Sequence, residues 1–525
     1  MSSFLETACL ASFLFLMIVP GVYGVHLYLL MFLSFWRRSS VRRYQAATTT
    51  RYTRETPENL WPIVTTQIPL YNEVTVARRV IEAAARMDYP VGRHEVQILD
   101  DSSDETRELV DQTVLELRAR GYDVSVVRRA DRTNYKAGAL AHGLKFSRGK
   151  YIAIFDADFV PDHQFLRKLV PLIESDPQAG CVQGRWGHLN AGENWITEGL
   201  ALGIDGHFSV EQGARAWSGF LLNFNGTGGI WRRAAIDDPR VGGWHGDTIT
   251  EDLDLSYRAQ LVGWRVIYCN DVVSPAEIPA DVNALKSQQR RWATGSIQTA
   301  RKLLPLVWKS PISLLQKLEA TLHLTQYSVS VFMLLMAIFG RTLLWTVPAE
   351  KAATWLGVSS VLVLAGAAAP SIAYMYARWT LSREVVGLLR LLKFILLGFG
   401  LAVNNGVAVL VGLVQRGGEF VRTPKSGASA QSRGRGQYAS LRSKLWLFEI
   451  ALGAFCLVQW AAFLKADHYV GGSFMLLYAF GLIAMGLGTR RQTAARTAAH
   501  APPRSIPAAP VHLETSPEPA MRISA

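Results

Sequence analysis

Charge is scarce in this chain. Only 18% of its 525 residues are Asp, Glu, Lys or Arg, against 49% that are apolar, and a typical soluble domain carries roughly a quarter charged residues. Residues 7–36 contain no charged side chain at all. A protein that is soluble along its whole length is excluded, and membrane spans are expected. Cysteine is scarcer still: Cys9, Cys181, Cys269 and Cys456 are scattered without metal-type spacing, which excludes a disulfide framework and a cysteine zinc site. Internal repeats are absent. Acidic residues are outnumbered, leaving a formal net charge of +13. The excess Lys and Arg gather beside apolar runs and in the C-terminal tail rather than along one helix face, so the charge reads as membrane topology, and no nucleic-acid partner is expected.

The uncharged residues 7–36 exceed the roughly 20 needed to cross a bilayer. Nothing basic precedes them, as a secretory signal would require, whereas Arg37, Arg38, Arg42 and Arg43 follow. The bias of positive charge toward the cytosol places the N-terminus outside and the next segment inside. The expected organisation is a transmembrane helix (1–43, bent at Pro20 and Gly21), a cytosolic α/β domain (44–283), interfacial helices (284–318) and a transmembrane hairpin (319–378). An interfacial or re-entrant segment (379–415) follows, flanked by basic residues on both sides and carrying Asn404 and Asn405. A cytosolic loop (416–444), a second hairpin (445–489) and a disordered cytosolic tail (490–525) complete it.

Within the α/β segment, residues 63–68, 96–99, 124–127 and 151–155 are short apolar, partly β-branched runs, read as buried strands. Helical patterns over 74–86 and 105–120, and another opening at 132–140, alternate with them. Such alternation implies a parallel sheet with right-handed crossovers, and ligands of such sheets lie beyond the carboxyl ends of the strands. The fourth run ends in Asp156-Ala157-Asp158, two acids delivered where a divalent cation carrying a diphosphate would take one or two carboxylates plus phosphate oxygens. The second ends in Asp100-Asp101, which suits hydrogen bonds to a base or ribose and equally suits a turn with a helix cap. Lys136, before Ala137-Gly138, offers a cation for phosphates or a solvated surface charge. Thr250-Glu251-Asp252 opens a helix; capping accounts for one acid there, while sugar transfer with inversion needs a base close to a diphosphate leaving group, a role suited to Asp252. Gln288, Arg291 and Trp292 combine amide, guanidinium and indole at the membrane boundary, fit for a phosphate and a sugar face or for interfacial anchoring.

Taken in order, Asp100-Asp101-Ser102, Tyr135-Lys136-Ala137-Gly138, Phe155-Asp156-Ala157-Asp158, Phe224-Asn225-Gly226-Thr227, Thr250-Glu251-Asp252 and Gln288-Gln289-Arg290-Arg291-Trp292 resemble the signature of processive family 2 glycosyltransferases of the cellulose synthase superfamily. The wording LDDSSDETR, NYKAGAL, FDADFVPD, DGHFSVEQ, FNGTGGIWR and TEDLDLSYRA is most similar to the cellulose-synthase-like glucomannan and xyloglucan-backbone synthases. The likeness is dense over residues 60–300 and extends to the membrane part by layout. It implies a GT-A catalytic domain with a Rossmann-like mixed sheet, inserted in a multi-span α-helical membrane domain. By the same resemblance Asp101, with Asp100, Lys136, Asp156, Arg291 and Glu73, binds the nucleotide sugar, and Asp158 with Asp156 holds Mg²⁺ or Mn²⁺. Asp252 is the general base, while Gln288, Trp292 and Glu251 meet the acceptor. Phe420, Thr423 and Lys425 resemble a gating loop, although Arg422 stands where that pattern has Val. An additional cyclic-di-GMP-binding domain is not expected.

The implied function is inverting transfer of a hexose from a nucleotide sugar, UDP-glucose favoured and GDP-mannose possible, to a growing β-glycan that then crosses the membrane. A non-processive glycolipid glucosyltransferase is the nearest alternative. A transporter or receptor with a nucleotide-sensing domain is more remote, since the expected spans hold almost no charge.

Overall fold

The computed structural model describes residues 3–345, 349–418 and 445–499. Seven strands, β1 (Val64–Leu70), β2 (His94–Asp100), β3 (Val124–Val127), β4 (Tyr151–Ile154), β5 (Ala179–His188), β6 (Gly229–Arg232) and β7 (Arg265–Ala276), form one sheet in the order β3-β2-β1-β4-β6-β5-β7. The four strands legible as apolar runs, β1 to β4, are parallel to one another. β6 runs antiparallel to both β4 and β5, and β5 is parallel to β7, so the sheet is mixed, as the GT-A expectation requires. Helices Ala77–Ala85, Thr106–Ala119 and Phe165–Glu174 bury apolar residues against it. All the polar clusters at the ends of β1, β2 and β4 therefore emerge on one edge.

Proline ends the expected first strand at residue 68, yet β1 continues through Pro69 to Leu70. Gln67 accepts from Phe155 N on the β4 side and Leu70 accepts from Asp101 N on the β2 side. Backbone groups alternate in direction, so Pro69 faces the β4 side, where pairing has already stopped at Gln67. No ladder bond is lost there.

Five helices among the described residues are long and apolar enough to cross a membrane: Phe4–Glu55, Leu314–Arg341, Val361–Ser382, Leu445–Lys465 and Tyr469–Thr493. The first is one continuous helix through Pro20 that runs well past residue 43. Its C-terminal half belongs to the catalytic domain, where Gln45 donates to Tyr268 O at 2.9 Å and Arg42 pairs with Asp271. Helices Leu388–Gly400 and Ala402–Val414 meet at a bend of 42°, compatible with a broken span or a re-entrant loop. Asn404 and Asn405 at the bend are buried, and Asn404 Nδ2 donates to Lys286 O and Asn405 Oδ1. Non-helical backbone and polar groups at membrane depth need such protein partners. Past residue 489 the last helix continues to Ala499 rather than dissolving into a tail, in keeping with the high helix propensity of its Ala-rich end.

Gly24 and Gly366 meet where the first span crosses the third. A Cβ on Gly24 would stand 2.3 Å from Gly366 Cα, backbone against backbone, the close approach that small residues allow in membranes. Gly24→Ala is expected to destabilise the protein by about 1–3 kcal/mol. A lower melting temperature in detergent is the readout, and an unchanged one would show that the crossing relaxes freely.

Candidate active site

β4 delivers its acids through a crossing with the segment before β6. Asp156 N donates to Thr227 Oγ1 at 2.9 Å and Gly228 N donates to Ile154 O at 2.8 Å, so the Asp156 and Thr227 backbones are fixed together. A cavity of about 160 Å³ opens beyond them, lined by Glu73, Asp101, Lys136, Asp156, Asp158, Glu251, Asp252, Gln288, Arg291 and Trp292. Ten residues singled out from separate motifs thus share one space at the sheet edge.

Lys136 binds them together. The chain enters the helix Tyr135–Leu144 through two left-handed residues, Asn134 (φ 59°) and Tyr135 (φ 44°), and Lys136 Nζ then donates to Asp156 Oδ1 at 2.5 Å and to Gly226 O at 2.9 Å. Glu251 Oε1 lies 3.9 Å from the same ammonium. Gly226 has φ +80°, and a Cβ there would come within 2.8 Å of Asp252 Oδ2, so only glycine lets this turn touch the Asp252 carboxylate. Burial, then the neighbouring Glu251 carboxylate, push the Asp252 carboxyl above the ordinary range, while Lys136 pulls the other way. Burial raises Glu251 as well. Arg291 faces Asp156, Glu251, Asp252 and Asp158 from the helix Val282–Lys309, whose N-cap is Asp281.

The remaining sequence-derived residues fall differently. Asp101 lines the cavity, but Arg129 holds its carboxylate with two hydrogen bonds of 2.8 and 2.6 Å. Asp100 is buried outside the cavity; it accepts from Ser102 N and pairs with Arg128, the turn alternative without a helix cap, since the next helix begins only at Thr106. Gln288 is buried with Oε1 lacking a hydrogen-bond partner among the described residues. The Trp292 ring lies 6.4 Å from that of Trp186, which donates from Nε1 to Thr227 O. Phe420, Thr423 and Lys425 lie outside the described residues. Just before them, Gly417 N donates to Asp247 O and Gln298 Nε2 donates to Gly417 O at 2.7 Å, beside the rim residue Ile249. Trp186, Arg129, Asn225 and Gly226 were not assigned from sequence as site residues; the FNGT motif was the available signal for the last two.

A second acid cluster, His245, Asp247 and Asp254, lies apart from this cavity. Lys302 Nζ occupies its centre, 2.7 Å from Asp247 and 2.8 Å from Asp254, so it is an ion-pair knot.

The model of the family described as glycosyltransferase like family 2 matches residues 62–295. Glucomannan 4-beta-mannosyltransferase 7 of Arabidopsis thaliana is 33% identical over 448 residues, covering 82% of this chain and 77% of its own. The chain belongs to glycosyltransferase family 2, in its cellulose-synthase-like branch. Glucomannan 4-beta-mannosyltransferase 1 of Oryza sativa subsp. japonica is 30% identical over 481 residues, covering 86% of this glycosyltransferase and 87% of the plant protein. Among solved structures, mannosyltransferase PcManGT from Pyrobaculum calidifontis, in complex with GDP-Man and Mn²⁺, superposes with a TM-score of 0.42 at 19% identity, covering 73% of this chain and 99% of that one. That superposition is too loose to argue from.

Replacing Gly226 by Ala should cost about 1–3 kcal/mol of backbone strain and displace the Asp252 carboxylate. Sugar transfer is expected to fall at least about tenfold, the equivalent of 1.4 kcal/mol in the barrier, while nucleotide binding, followed by calorimetry, changes little.

Proposed function

We propose that this glycosyltransferase moves a mannosyl unit, carried as GDP-mannose, onto the end hydroxyl of a β-1,4-linked glycan with inversion, and passes the product between its membrane helices. The observation that carries the chemistry is the convergence of Asp156, Glu251 and Asp252 on Lys136 in a cavity shared with Asp158 and Arg291. Asp252, its affinity for protons raised, takes the proton from the attacking hydroxyl as the new glycosidic bond forms and the diphosphate departs. Lys136 and Arg291 receive the negative charge of the leaving group. Gln288 and Trp292 hold the acceptor ring, the amide by hydrogen bonding and the indole by stacking, with Trp186 behind it.

The residues present fit a divalent cation. Asp156, Asp158, Glu251 and Asp252 set four carboxylates against the two cations Lys136 and Arg291, and the donors are hard oxygens, as Mg²⁺ and Mn²⁺ prefer. Asp158 with Asp156 would hold it, and it would supply charge for the departing diphosphate. The names of the plant relatives favour mannose, and the sequence lean toward UDP-glucose is not retained. Passage through the membrane is supported by a cavity of about 450 Å³ lined by residues of all five candidate spans and by Phe394, Phe399, Tyr374 and Tyr478, aromatic faces on which sugar rings can slide.

Asp252→Asn should abolish transfer and leave donor binding largely intact. A raised Asp252 is protonated at pH values where a free carboxylate is already ionised, so kcat/KM should fall as pH drops toward the acid side of neutrality. Lys136→Met removes the cation favouring the ionised form and should move that limb to higher pH; a limb confined to the ordinary carboxylate range would overturn the assignment of the base. Membranes given labelled GDP-mannose should make a polymer cleaved by β-mannanase, and chelation should stop its synthesis; incorporation from UDP-glucose alone would overturn the donor.

A further inference from the structure

Between the catalytic cavity and the membrane cavity runs one helical wall, Trp195–Gly206 continuing through a π-turn, His207–Gln212, into Gly213–Trp217. Such π-turns occur often at functional sites. Here the wider turn brings two residues to one amide: Gln212 Nε2 donates to Asn225 Oδ1 at 2.5 Å, and Asn225 Nδ2 lies 3.2 Å from His207 Nε2. Asn225 lines the catalytic cavity next to Gly226, the glycine against Asp252. With its Oδ1 accepting from Gln212, its nitrogen must donate, so His207 Nε2 is the acceptor and the imidazole proton is on Nδ1. That nitrogen is 3.6 Å from Glu211 Oε2. Glu211 is itself held by Arg215 Nη1 at 3.2 Å and by Tyr374 Oη, which donates at 3.2 Å, and Arg215, fully buried, pairs with Glu319 at 2.7 Å.

We propose that Glu211 is a positioning residue: it holds His207 in the tautomer that fixes the Asn225 amide beside Asp252, leaving the second Asn225 N–H for an acceptor hydroxyl. A carboxylate that orients an imidazole is a familiar means of setting which ring nitrogen accepts. The assignment rests on the acceptor lying beside Asp252 as proposed above. Arg215, itself anchored by Glu319, and Tyr374 hold Glu211 in place, and because Glu211 and Tyr374 line the membrane cavity, the acceptor end of the active site is tied to the wall of the exit route.

In the full-length enzyme in detergent, Glu211→Gln can present an amide N–H to His207 Nδ1 and reverse the tautomer. Transfer to an added manno-oligosaccharide should then fall about tenfold or more, while hydrolysis of GDP-mannose without acceptor is retained. In an Asn225→Ala background the same substitution should cost almost nothing, since neighbours acting through one partner are not additive. His207→Gln, which keeps an acceptor for Asn225 and lies outside the Arg215 ion pairs, should retain transfer, whereas His207→Leu should lose it with hydrolysis preserved. Equal losses of transfer and hydrolysis, or a Glu211→Gln cost unchanged in the Asn225→Ala background, would overturn the proposal. An Asp252→Asn enzyme that still transfers would instead overturn the placement of the base, independently of either result.

Discussion

One buried ammonium holds this active site together. Lys136 reaches the end of β4 through Asp156, the turn before β6 through Gly226 O, and the start of the helix Glu251–Leu261 through Glu251. Without a cation at that point three acids from two parts of the chain, Asp156 and the adjacent Glu251 and Asp252, could not share a poorly solvated space, because each would raise the proton affinity of the others. Burial, with the neighbouring Glu251 carboxylate adding to it, keeps the Asp252 carboxyl raised even after Lys136 has acted. Strain is concentrated at the same place: Tyr135, a bulky residue, has φ 44°, a conformation that survives only where surrounding contacts impose it.

The fold was legible in the sequence where burial is symmetric and not where it is local. β1, β2 and β4 are runs rich in apolar or β-branched residues covered on both faces, and β3, partly buried at the sheet edge, keeps a β-branched run, so composition marks them as parallel strands. β5, AGCVQGRWGH, is broken by glycines and polar residues, and β6 has only four residues. Their pairing depends on contacts distant in sequence, chiefly with β4 and β7, which no local pattern carries. The antiparallel placement of β6, and with it the mixed character of the sheet, had to come from the family likeness.

The site divides in the same way. Acids at strand ends and helix starts are visible because few residue types perform that chemistry, and nine of the ten nucleotide, metal, base and acceptor residues with the strongest motif support meet in one cavity alongside Glu73. Adjacent acids are harder to separate. Asp100 still belongs to the ladder, paired with Leu70, and turns into the protein toward Arg128, whereas Asp101, one residue on, turns to the cavity. Gly226 and Trp186 act through backbone shape and through a strand that the pattern did not mark, so their roles follow only from three-dimensional neighbours.

The cavity of about 160 Å³ is smaller than the roughly 300–1,000 Å³ typical of ligand pockets, and Asp101 is closed off by Arg129. Arg129 also donates to the carbonyls of Thr133 and Tyr135, the two residues on either side of Asn134, and so ties Asp101 to the strained entry of the Lys136 helix. The same eight residues, 129–136, thus join two acids of the cavity, Asp101 through Arg129 and Asp156 through Lys136.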